Sequence, residues 1–212
     1  QIQLFFSDIE PLAASKVLVR LEKENLSIGE RVLAQELRLT VRGQDKIGII
    51  GPNGVGKSTL LAKFQQLLSG KREISLGFMP QDYQETLQLD LSPVEFLSQT
   101  GHKEEIQKIQ SHLASLNFSY PEMHHQIHSL SGGQQGKLLL LNLVLRKPNF
   151  LLLDEPTRNF SPTSQPEIRK LFATYPGGLV TVSHDRRFLK EVCRSIYHLS
   201  ENGLEVVDLQ DL

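Results

Sequence analysis

The sequence predicts an α/β fold: a mainly parallel sheet core flanked by helices, with an antiparallel β part near the N-terminus and a small helical lobe. Three observations carry this reading. Short apolar runs at Lys46–Ile50 and at residues 74–79, 150–153 and 179–182 have the length and make-up of buried strands. Helical stretches separate them, and strands alternating with helices imply parallel pairing through crossovers. Each run also hands over to a polar or glycine-rich segment at its carboxyl end, the edge where ligands gather in open parallel sheets.

Residues 1–16 read as an entry arm, set off by Pro11 and two alanines. Residues 17–21 and 38–41 alternate or cluster as strands do. Lys46–Ile50 runs straight into a glycine-rich turn, and a helix over 57–68 leaves it, closed by Ser69 and Gly70. The strand over 74–79 stops at Pro80. From Ser92 to Leu116 the pattern is one polar helix, opened by Ser92-Pro93-Val94-Glu95 as its cap. Ser131 begins a further helix that Pro148 must end. A helix near 168–174 lies between the last two strands. The resulting division is a single domain over 1–212, with a catalytic core over 17–85 and 146–212 and a helical lobe over 86–145.

Composition excludes several classes. With 212 residues, 39% of them hydrophobic, the chain can bury one substantial core. Its 23 basic and 24 acidic residues leave a net charge of -1, so no face-wide basic excess marks a nucleic-acid surface, and no sequence-specific DNA contact is expected. Cys193 has no second cysteine to pair with and reads as a packed thiol in a reducing compartment. The longest apolar run, 138–145, is far too short to cross a bilayer and is interrupted by Asn142. No secretory leader opens the chain, which starts at Gln1 and reads as a piece of something longer. A cytoplasmic setting follows as the expectation.

The strongest local signal is Gly51-Pro52-Asn53-Gly54-Val55-Gly56-Lys57-Ser58-Thr59, a complete G-x-x-x-x-G-K-[ST] phosphate loop between a strand and a helix. Glycines let the backbone curl until successive N–H groups point inward, and the following helix adds a positive dipole end. Lys57 suits β- and γ-phosphate charge, and the Ser58 hydroxyl suits Mg²⁺. Downstream, residues 150–153 end in Asp154 and Glu155. Adjacent strand residues point to opposite sides, so Asp154 can serve Mg²⁺ through water while Glu155 polarises an attacking water. His184, past the last buried strand, suits a γ-phosphate contact, and Gln81, after Pro80, suits a Mg²⁺ or water contact on the same edge.

Leu130-Ser131-Gly132-Gly133-Gln134 precedes the helix that Pro148 ends, with Ser131 as N-cap and two glycines leaving N–H groups open to an anion. Between a phosphate loop and paired carboxylates, this segment resembles the signature of ATP-binding cassette proteins. The resemblance covers nearly the whole chain: Walker A at 51–59, the Q-loop at Gln81, the signature at 130–134, Walker B at 150–154 and the switch histidine at His184. It implies ATP and Mg²⁺ as ligands. It also implies a head-to-tail pair of cassettes, in which Ser131, Gly132, Gly133 and Gln134 of one complete the nucleotide site of the other.

Within that family the chain is most similar to the second cassette of ABC-F proteins, soluble tandem cassettes that act on ribosomes. Asp154-Glu155-Pro156-Thr157-Arg158-Asn159-Phe160 and Ser183-His184-Asp185-Arg186-Arg187-Phe188-Leu189 carry that likeness. The function it implies is an ATP-driven switch on the ribosome, as a translation factor or a protector against antibiotics. Two positions depart from the family: Ser161 stands where the D-loop usually ends in aspartate, and Ile28 stands near the place of the aromatic that stacks on adenine. The first puts cross-talk between paired sites in question. The second implies loose, apolar adenine contact and weak base selectivity. Two other readings stay open: a transporter motor subunit docked on a membrane partner, and a regulatory module that holds ATP with little turnover, which Ser161 suggests.

Some signals carry less. His124 and His128 share a helix face in this reading, but no cysteine or carboxylate set completes a metal site beside them. Phe5, Phe6 and Tyr83 are not interleaved with basic residues, so no RNA-stacking platform is inferred. Too few positions separate Gln81 from Leu130 for the long coiled-coil insertion of a DNA-repair ATPase.

Overall fold

The computed structural model describes residues 4–212; residues 1–3 of the expected entry arm lie outside it. The antiparallel part is a hairpin of β1 (Val17–Ile28) and β2 (Arg31–Arg42), longer than the strand-like stretches in the sequence suggest. Its turn holds Gly29 at φ 59, a left-handed conformation that glycine takes without a Cβ clash. The register slips on both sides of Glu24, where Lys23 and, across the hairpin, Glu36 have positive φ. Those irregularities blur the alternation that would have shown the full length in sequence.

The second sheet has six strands in the order β4-β5-β6-β3-β7-β8. They are β3 (Lys46–Ile50), β4 (Leu76–Met79), β5 (Phe150–Asp154), β6 (Gly178–Val182), β7 (Ser195–Ser200) and β8 (Gly203–Val207). All neighbours pair in parallel except the edge strand β8, which runs antiparallel to β7. The β7–β8 hairpin was not anticipated, although Asn202-Gly203 between two short apolar stretches is a hairpin signal.

Strand periodicity sorts side chains to two faces. On β5, Phe150 and Leu152 join Leu60, Phe64 and Val180 in a cluster under the hairpin and α1 (Lys57–Ser69). Leu151 and Leu153 face the other way, into a cluster with Leu138 and Leu140 of α5 (Gly132–Leu145), Phe172 of α6 (Gln165–Ala173) and Phe188 of α7 (Arg186–Val192). Leu4 joins this second cluster, and Phe6 meets Tyr175 edge-on at 4.8 Å. The arm is thereby fastened to the helical face of the sheet. Lys46, 6% exposed, donates to the Phe172 carbonyl in the last turn of α6 at 3.4 Å and to the Tyr175 carbonyl just past it at 2.5 Å. Burial, with Arg194 nearby, holds its pKa down to about 8.

The helix expected from Ser92 to Leu116 is two helices. α2 (Pro93–Leu97) starts at Ser92 with a reciprocal Ser92/Glu95 capping box. The chain turns extended at Ser98, passes Gly101 at φ 71, and re-enters helix as α3 (Lys103–Ser115). Glu105 holds the break: it accepts the N–H groups of Gln99 and Thr100 and the Ser98 hydroxyl. Those bonds draw its pKa to about 2, Ser98 first.

His124 and His128 also share no helix. α4 (Tyr120–His124) ends because His125 and Gln126 are extended, and His128 belongs to a separate 3-10 turn. The His124 ring meets the Gln110 amide, and the His128 ring meets the Gln126 side chain.

Candidate functional site

The carboxyl ends of β4, β5, β6 and β3 lie side by side and deliver Gln81, Asp154, His184 and the phosphate loop to one edge. The loop curls because Gly51, Gly54 and Gly56 take φ of 153°, 79° and 106°. At Gly56 the φ of 106° strains any residue with a side chain, and a Cβ there would also stand 3.0 Å from Leu26 and 3.1 Å from Leu33, so glycine suits the close approach of the hairpin to the loop. Gly56 then passes the chain into α1, which begins with Lys57 and Ser58.

Lys57 is buried and folded across the loop. Its Nζ donates to the Gly51 carbonyl at 2.5 Å and stands 3.0 Å from His184 Nε2. His184 Nδ1 bonds Glu155 Oε1, and the His184 backbone N–H donates to Glu155 Oε2 at 3.2 Å. An ammonium can only donate, so Nε2 is the acceptor and the ring proton sits on Nδ1, directed at Glu155. Burial lowers the Lys57 pKa, against the pull of Glu155 and Asp154.

Glu155 reaches this position through an uncommon backbone. Its φ is 49°, and its N–H donates to Val182 O at 2.8 Å, which bends the chain off β5 toward the end of β6. Holding a non-glycine residue there costs about 1 kcal/mol or more, the kind of local strain that clusters at functional sites. Asp154 keeps the strand direction. It is 6% exposed, accepts from Ser58 Oγ at 2.9 Å through Oδ2, and its buried Oδ1 has no hydrogen-bond partner among the described residues. Burial raises its pKa, with the Ser58 bond opposing. A buried carboxylate oxygen without a donor, next to a hydroxyl and Gln81, is a donor set that fits a hard cation.

Two hollows flank these groups. One of about 330 Å³ is lined by Lys57, Ser58, Gln81, Asp154, Glu155 and His184, with Asn53, Gly54, Gly56 and Thr59 of the loop. The other, about 660 Å³, opens from Ser58, Gln81 and Asp154 toward Asp82 and Glu85. Arg158, which the sequence reading assigned to the family likeness alone, lines both. Pro52 and Val55 line neither and sit instead toward the β7–β8 turn.

Ser131, Gly132, Gly133 and Gln134 are not brought to either hollow. Ser131 caps α5 in a reciprocal box with Gln134, and Gln134 also donates to Glu122. Gly132 is exposed, with open space where a Cβ would be on both it and Gly133. Ser161 is exposed and its hydroxyl bonds Thr163 and Ser164 within its own turn. Ile28 is 59% exposed at the tip of the hairpin and faces the smaller hollow.

The model of the family described as ABC transporter matches residues 34–158, more than half of the chain. The chain belongs to the ABC transporter family. It is an ATP-binding cassette of that family, and the curated relatives agree. The cassette is 30% identical over 214 residues to the probable ATP-binding protein YheS of Escherichia coli K12, covering 96% of this chain and 33% of the relative. It is 28% identical over 191 residues to ABC transporter F family member 2 of Arabidopsis thaliana, covering 85% and 28%. The cassette thus spans about a third of the length of the curated relatives it matches. Its fold is similar to that of the cassette MJ0796 in a dimeric post-hydrolysis structure bound to ADP and Pi, with a TM-score of 0.74 at 19% identity, over 91% of this chain and 98% of that one. Among the described residues, no helix is long and apolar enough to cross a membrane.

Proposed function

We propose that this chain is the second cassette of a tandem ABC-F protein. It binds Mg-ATP, hydrolyses it when a partner cassette closes over the nucleotide, and serves as an ATP-driven switch on the ribosome. One observation carries the chemistry: the continuous Lys57–His184–Glu155 contact beside the Ser58–Asp154 pair.

Lys57 turns its ammonium from Gly51 O toward β- and γ-phosphate oxygens, while loop N–H groups hold the rest of the phosphate chain. Ser58 and Asp154 would hold Mg²⁺, with Gln81 at the rim. Held there, the ion would supply electrostatic neutralisation of the phosphate charge. Glu155 accepts a hydrogen bond from the attacking water and aims it at the γ-phosphorus. His184 fixes the Glu155 rotamer through Nδ1–H and is placed to contact the γ-phosphate once Lys57 moves away.

The Ser131-Gly132-Gly133 segment, exposed at its first two residues, stands apart from the Lys57 hollow, in keeping with service to a partner's nucleotide. A lone cassette then turns ATP over slowly, because its own signature is out of reach. The ABC-F assignment draws on the residues around Glu155 and His184 and on the likeness to an F family member. The division into a core over 17–85 and 146–212 and a lobe over 86–145 belongs to the same reading.

The test is co-sedimentation of the full-length protein carrying Glu155→Gln with ribosomes. ATP-dependent association is expected. Recovery with membranes instead would favour a transporter motor, and ATP binding without association, together with no turnover by the unsubstituted protein, would favour a regulatory module.

A further inference from the structure

We infer that the Arg31 guanidinium is the surface on which the nucleotide's base stacks, an inference that rests on the nucleotide-binding reading above. The phosphate loop, Ser58–Asp154 and Glu155–His184 account for the phosphate, metal and water sides of the smaller hollow. Gln81, Arg158 and Val182 also line it, but they lie with Asp154, Glu155 and His184 on the metal and water side, and what remains is the tip of the hairpin: Ile28, Arg31 and Leu33. A nucleoside leaving the phosphate chain away from Glu155 meets that tip.

Ile28 and Arg31 are direct cross-strand partners across the Gly29-Glu30 turn. Residues directly opposite in an antiparallel pair project from the same face, with Cβ atoms about 5 Å apart. Both therefore stand on the loop-facing side of the hairpin, and both are exposed. Arg31 makes no ion pair or hydrogen bond through its side chain among the described residues, so no carboxylate holds the guanidinium elsewhere. It also lines the adjoining hollow of about 540 Å³ with Asn53 and Gly54, which puts it on the ridge between the two spaces.

A purine needs a flat partner. Ile28 and Leu33 supply apolar edges but no plane, whereas a guanidinium is planar, weakly hydrated, and stacks on π-faces with a cation–π component. Stacking of this kind does not read the base edge. The ligand class is accordingly a purine nucleoside triphosphate, with adenine and guanine accepted nearly alike.

Equilibrium binding of Mg-ATP, Mg-GTP and Mg-tripolyphosphate to the chain and to Arg31→Ala, Arg31→Lys and Lys57→Ala tests this. Arg31→Ala should weaken both nucleotides by about tenfold and leave tripolyphosphate unchanged. Arg31→Lys, which keeps the charge without the plane, should recover less than half of that loss on a logarithmic scale. Lys57→Ala should weaken all three. Equal loss of ATP and tripolyphosphate in Arg31→Ala would make Arg31 a phosphate contact and overturn the inference, as would unchanged ATP affinity or full recovery with lysine. Failure of the unsubstituted chain to bind any of the three would instead sink the nucleotide-binding reading itself.

Discussion

Lys57 Nζ and His184 Nε2 lie 3.0 Å apart although 127 positions separate the two residues. The contact exists because β3 and β6 are neighbours in the sheet, so the loop after one and the polar exit of the other meet at a single edge. It also sets the tautomer of His184 and, through Nδ1, the orientation of Glu155.

On the proposed reading, Lys57 is the group on which phosphate binding depends. Lys57→Ala is expected to weaken Mg-ATP binding by about tenfold to a hundredfold, the worth of one or two charge-assisted hydrogen bonds. Calorimetric titration of the chain with Mg-ATP measures this, and unchanged affinity would remove the phosphate-loop assignment.

Asp154 carries its charge in a poor environment. Its raised pKa reports a carboxylate whose ionised form burial disfavours, and among the described residues Oδ1 has no donor to offset that cost. Asp154→Asn is therefore expected to raise the melting temperature of the metal- and nucleotide-free chain by a few degrees. The same change should raise the Mg²⁺ concentration needed for tight ATP binding about tenfold or more. A variant that is less stable and binds Mg-ATP as before would contradict both halves.

Lys46 gives a signature in pH. Its folded pKa of about 8 lies below the ordinary 10.5, so between these values the unfolded chain binds the extra proton. Stability then rises with pH across that window, and the charged form costs the folded state below it. Urea unfolding at pH 7, 8 and 9 should show an upward Lys46 contribution that Lys46→Met abolishes. A falling contribution would mean that the carbonyls of Phe172 and Tyr175 stabilise the ammonium more than burial penalises it.

The signature segment depends on its cap. Ser131→Ala removes the acceptor for the Gln134 N–H and should destabilise the start of α5 by about 1 kcal/mol. Hydrogen exchange at the amides of residues 132–135 would report it as faster exchange confined to that turn. Uniform acceleration across the chain would point to a global effect instead.

Much of the site's layout was legible because its parts are contiguous in sequence. The phosphate loop, the Asp154–Glu155 pair and the Ser131 cap are short strings whose chemistry can be read without a fold. That they face one another required the strand order, which no local pattern states. The break between α2 and α3 was hidden because its cause is Glu105, in the first turn of the second helix, reaching back over the preceding loop. The β7–β8 hairpin escaped because Tyr197 and His198 interrupt its apolar pattern and both lie only partly buried. Arg31 and Arg158 escaped because a single arginine on a turn looks like solvated surface until its neighbours are known.

The account turns on Glu155 as the residue that acts on water. The most direct measurement follows ATP binding and ATP turnover in parallel, in the full-length protein and its Glu155→Gln variant. The account predicts binding within about threefold of the unsubstituted protein and turnover lower by about a hundredfold or more, since general-base contributions run at 10²–10⁴. Turnover that survives Glu155→Gln with binding intact would contradict it, and would move the chemistry away from the Lys57–His184–Glu155 contact.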